Sequence, residues 1–146
     1  MKKAKSQIPP WVIRPLVPEE VYTDRKEHLN YLYQYALKAI TRRSMSTVLL
    51  GQRRMGKTEI FKRVVNRLFF GQKKYQDVGR SLVPIYYSFQ DSVVDRWDFA
   101  DKYIQNFIRW YLAFRLQNTK ILSNLLVDRN ELLNMMEKYH ETSPEL

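Results

Sequence analysis

Cysteine is absent from this chain of 146 residues, which removes disulfides, thiolate metal sites and cysteine nucleophiles together. Long apolar runs are missing too, since no stretch approaches the roughly 18 residues that a membrane-spanning helix needs. The basic start Met1-Lys2-Lys3-Ala4-Lys5 resembles the opening of a secretory signal, but Ser6-Gln7-Ile8-Pro9-Pro10 follows where an apolar segment would have to stand. Neither export nor membrane insertion is expected, and a cytoplasmic location fits. Acidic residues are scarce in one half only. Residues 1–80 hold 18 Lys/Arg against 6 Asp/Glu, a net of +12, whereas residues 81–146 hold 7 against 9, a net of −2. A basic half suits polyanions, whether nucleotide phosphates, nucleic acid or an acidic protein surface, and it equally suits a solvated face with no partner. What remains, 45% apolar and 27% charged, is the composition of a globular chain long enough for one hydrophobic core.

Four of the six prolines fall in residues 1–20, with no helical period, so this stretch reads as an arm that Trp11, Val12, Ile13 and Leu16 could dock. Residues 21–146 then read as one domain. Asp24 and Glu27 have the spacing of a capping box, and Leu29, Leu32, Tyr33, Ala36 and Ile40 follow on one helical face. Ser46-Thr47-Val48-Leu49-Leu50 reads as a short buried strand that stops at Gly51. Ile60, Phe61, Val64, Val65, Leu68 and Phe69 mark a second helix, with Gly71 placed to end it in a left-handed conformation. Leu82–Phe89 reads as a second strand, confined by Pro84 to a sheet edge or to the residues after the proline. From Asp95 a helical period returns, with Phe99, Tyr103, Phe107, Ile108, Tyr111 and Phe114 on one side. A last helical stretch, from about Lys120 to Tyr139, is expected to break near Asp128, where Asp128 and Glu131 repeat the capping-box spacing.

The sharpest signal lies between the first strand and the second helix. Gly51-Gln52-Arg53-Arg54-Met55-Gly56-Lys57-Thr58 satisfies G-x-x-x-x-G-K-[ST] at every fixed position. Glycines at both ends let the backbone curl so that successive N–H groups face one concavity and hold phosphate oxygens. Lys57 brings a point charge to the β- and γ-phosphates, and the Thr58 hydroxyl is placed to take one position on Mg²⁺. The helix that starts here adds its N-terminal dipole and N–H groups. A random chain of this length matches the pattern on the order of 1% of the time or less. ATP with Mg²⁺ is therefore the expected ligand. Arg53 and Arg54 point either to phosphate, a protein partner or nucleic acid, or simply to solvent.

Thr47 to Thr58 resembles the P-loop of the AAA+/STAND group, especially its archaeal-type ATPases, in which an apolar strand enters a G-x-R-R-x-G-K-[ST] loop. Tyr22, Arg25 and Leu29 are similar to the F-x-x-R-x-x-E-L segment that precedes that loop and lies near the adenine, with Tyr for Phe and His28 for Glu. The resemblance runs from about Val21 to Phe89. It implies an α/β fold, a P-loop NTPase three-layer α/β/α sandwich of strand order 5-1-4-3-2, here partial and with a helical C-terminal segment. It also implies a third strand ending in a Walker B acidic pair, and an arginine finger. Leu125-Leu126-Val127-Asp128 is the one later apolar run that ends in an acid; it lies in a helical period and is followed by Arg129. The chain thus resembles the front part of an ATPase module, cut before Walker B, and nucleotide binding with slow or no hydrolysis is expected.

Smaller signals carry less. His28 and His140 lack partners at metal-ligand spacing. The aromatic stripe from Trp97 to Phe114 has the composition of a base-stacking platform, but its helical spacing favours packing. Asp91, Asp95, Asp98 and Asp101 suit a helix start.

Overall fold

A computed structural model describes residues 11–18, 22, 25–43, 46–52, 56–72, 81–89, 95–124 and 127–143. Helices take up 63% of these, and no strand or sheet occurs among them. The expected α/β three-layer sandwich is thereby corrected to a helical fold. The chain divides into two compact units, Met1–Leu82 and Val83–Leu146, so the boundary cuts the stretch expected to be the second strand. No described helix is long and apolar enough to cross a membrane.

The first unit is built on α1 (Lys26–Leu37), continued by a 3₁₀ turn (Lys38–Thr41), and on α2 (Lys57–Phe70). Arg25 precedes α1 with a left-handed backbone (φ 65°) and makes no side-chain cap; Asp24, expected to cap this helix, lies outside the described residues. The apolar stripe of α1 meets that of α2. Tyr33, Ile60, Val64 and Leu68 form the buried centre, and Leu29, Leu32, Ala36, Leu37, Leu49 and Leu82 pack around it. Each such aliphatic side chain, fully buried, stabilises by about 1.5–3 kcal/mol. Arg67 ties the two helices at their surface, with its guanidinium 4.1 Å from the Tyr33 ring centre and donating to Asn30 Oδ1 at 2.5 Å.

The expected strands fail for a physical reason. Val48 and Leu50 are 75% and 85% exposed, so of 46–50 Leu49 is the residue that packs against the core. A strand exists only with a partner that accepts its ladder of hydrogen bonds. Among the described residues neither run has such a partner; the polar side chains of α2 and of Gln72 instead bond peptide groups of the arm and of Leu82. Asn66 Oδ1 accepts from the Val12 and Ile13 N–H groups at 2.6 and 3.1 Å, while its Nδ2 donates to the Ile13 carbonyl at 2.6 Å. Gln72, just past the helix, does the same for Leu82: it accepts from Leu82 N–H at 2.8 Å and donates to Leu82 O at 2.6 Å. Glu59 accepts from Leu16 and Val17 N–H at 2.9 and 3.3 Å, and Arg63 donates to Val17 O at 2.6 Å. The arm is therefore docked through its peptide groups; Leu16, expected to help dock it, is 79% exposed. Gly71 ends α2 with φ −94°, correcting the expected left-handed end. Space is what demands glycine there, since a Cβ would lie 2.5 Å from the Arg67 carbonyl oxygen.

The second unit comprises α3 (Arg96–Arg115), α4 (Lys120–Ser123) and α5 (Arg129–Thr142). Asp95 caps α3 by accepting from Trp97 N–H, and Asp128 caps α5 by accepting from Glu131 N–H at 2.8 Å, at the break expected near Asp128. The apolar side of α3 is not the uniform stripe expected. Ile108, Trp110, Leu112, Ala113 and Phe114 are buried, but Phe99, Tyr103 and Phe107 remain partly exposed, and Phe99 and Tyr103 make ring contacts with Tyr87. Arg109 gathers the carbonyls of the α4–α5 connection, donating to Ile121 and Asn124 at 3.4 and 2.8 Å and also to Val127.

Two substitutions test these clamps. Asn66→Ala strands the Val12 and Ile13 peptide groups and should cost about 2–4 kcal/mol in denaturant unfolding; a loss below about 0.5 kcal/mol would show the arm to be unattached. Arg109→Met, which keeps the apolar stem, should destabilise by about 1.5–3 kcal/mol through the charged hydrogen bonds it removes. An unchanged midpoint would show that the connection needs no such donor.

Candidate phosphate-binding site

The loop that carries the glycine-lysine motif ends where α2 begins. Gly56 has φ 71° and ψ 17°, a left-handed conformation that glycine adopts without the steric cost borne by other residues. The dihedral is what selects glycine, because among the described residues a Cβ there would meet only the Arg25 guanidinium, at 3.9 Å. Lys57 follows as the first helical residue, and Ile60 N–H closes the first turn on Gly56 O at 3.2 Å. The first N–H groups of a helix have no intrahelical acceptor and point along the axis, towards whatever lies ahead of it.

Lys57 reaches to the start of the motif. Its Nζ donates to the Gly51 and Gln52 carbonyls at 2.5 Å each, joining the two ends of the motif. Gly51, Gln52, Gly56 and Thr58 are exposed and Lys57 is half-buried, so the motif's ammonium and hydroxyl stand at the surface. Arg53, Arg54 and Met55 lie outside the described residues.

Electrostatics favour an anion. Glu59 is the only acid in the first turn of α2, and its carboxylate is turned to the arm, bound to Leu16 and Val17 N–H and 4.0 Å from Arg63. Arg25 supplies a cation beside Gly56 that motif spacing alone would miss. It is 31 residues away in sequence, and only the packing of α1 on α2 brings it near.

Other residues singled out in the sequence have different employment. Tyr22 faces the Arg63 guanidinium, 3.8 Å from its ring centre, and Leu29 packs in the core. Asp128, the Walker B candidate, is the α5 cap; Leu125 and Leu126 lie outside the described residues. Among the described residues no group of three or more His, Asp or Glu side chains could hold a metal ion. Compared with known proteins, the chain matches no protein-family model, no curated protein and no solved structure.

Proposed function

We propose that the chain binds a nucleoside triphosphate with Mg²⁺, ATP in the first instance, through Gly51–Thr58. The observation that carries this reading is the local geometry of the motif: a left-handed Gly56 opens α2, and Lys57 reaches back to the Gly51 and Gln52 carbonyls. A three-proton donor can keep both carbonyls and still give a hydrogen bond to a phosphate oxygen. The N-terminal N–H groups of α2 add positive character ahead of Lys57, and the Arg25 guanidinium lies near Gly56. The residues fit a phosphate chain by the chemistry of their donors. Thr58 is the residue that would hold Mg²⁺, which draws its remaining ligands from water and phosphate. Adenosine is named by the resemblance of Thr47–Thr58 to AAA+/STAND P-loops.

The reading does not depend on a sheet. What fixes the site is α2, gripped by the arm on one side and by α1 on the other. Binding is the proposed activity, and turnover is not part of it, because Asp128 already serves as a helix cap.

Calorimetry with MgATP gives the test. Lys57→Ala should weaken binding at least tenfold, and Thr58→Val should weaken MgATP more than ATP in the presence of a chelator. Equal affinity of wild type and Lys57→Ala would end the proposal.

A further inference from the structure

We infer that the outer face of α1 and the turn after it, built on Tyr31, Tyr35, Lys38, Arg42 and Arg43, is a binding surface for single-stranded nucleic acid. The tyrosines are one helical turn apart and their rings stack, with centres 5.8 Å apart and planes within 22°. Tyr31 is 61% exposed, although the core of this unit is already supplied from the same helix by Leu29, Leu32, Tyr33, Ala36 and Leu37. The core therefore gives no reason for an aromatic at 31. Lys38 lies one turn further on, with Nζ 5.3 Å from the Tyr35 ring centre, and Arg42 and Arg43 follow, both exposed. Arg42 takes a left-handed backbone (φ 56°) that ends the 3₁₀ turn.

Charge selects the partner. Between Glu27, at the start of α1, and Glu59 the sequence has no acid, while Lys38, Arg42, Arg43, Arg53, Arg54 and Lys57 all fall there. The exposed aromatics of α3 differ, because Trp97, Phe99 and Tyr103 stand among Asp95, Asp98 and Asp101, which would repel a polyanion. On α1, stacked aromatic faces adjoin cations, the pairing that unpaired bases and their phosphates require. Duplex bases are already stacked on each other and cannot use Tyr31. A lipid surface would need aliphatic side chains to bury, and Tyr31 is the one large apolar residue of α1 that is strongly exposed.

Fluorescence anisotropy of a labelled oligothymidylate with the full chain, in the absence of nucleotide and across a salt series, tests the surface. Single strands should bind more tightly than a duplex of equal length. Tyr31→Ala should lose roughly tenfold in affinity, in keeping with one lost stacking contact, and Tyr31→Phe should retain it. Replacing Lys38, Arg42 and Arg43 together by Gln should reduce the slope of log affinity against log salt by about 2, at roughly 0.7 per phosphate contact. Equal binding of duplex and single strand, indifference to Tyr31→Ala, binding to phosphatidylserine vesicles alone, or no binding at low salt would each overturn the assignment.

Discussion

The two-way pairing of Asn66 with Ile13, and of Gln72 with Leu82, is the constraint on which the first unit depends. A primary amide offers the same donor and acceptor as a peptide group, so each side chain replaces one rung of a ladder. Asn66 is 3% exposed and Gln72 1%, and a buried amide left unpaired would cost more than its hydrogen bonds return. The peptide groups of Val12, Ile13, Leu16, Val17 and Leu82 are therefore met by side chains on α2 or just beyond it. Glu59 and Arg63 extend the same logic, and all these buried polar residues sit on or just beyond α2. Because the helix is held by the arm through polar bonds and by α1 through apolar contact, its N-terminus is fixed in place.

That arrangement bears on the proposed nucleotide site in two ways. It removes the Glu59 charge from the mouth of the helix, and it brings Arg25 beside Gly56. Both effects favour an anion ahead of Lys57, and both arise from packing some distance from the motif itself.

The helices were largely legible in the sequence, because apolar residues at helical spacing declare themselves locally. Ile60, Val64 and Leu68 are in the core as their period implies, and Asp128 caps a helix as its spacing with Glu131 implies. The strands were misread because a short apolar run such as Val48–Leu50 looks the same whether or not a neighbour exists to pair with it. No local pattern distinguishes Asn66 as a clamp from a solvated asparagine. The motif at Gly51–Thr58 was legible as a motif, including the glycine turn at 56, whereas Arg25 was singled out only through the resemblance of Tyr22–Leu29 to the segment before such loops, and its approach to Gly56 comes with the contact of α1 with α2. The stripe on α3 was half right, its second half buried and its first half still exposed.

Amide resonances of the intact chain, followed by ¹H–¹⁵N correlation spectra during titration with MgATP, report most directly on the claim that an anchored α2 presents a phosphate site. The account predicts that the largest shifts fall on Gly51, Gly56, Lys57 and Thr58, with Val64–Phe69 little changed because the helix body stays clamped. Shifts centred elsewhere in the chain, or none at saturating nucleotide, would contradict it.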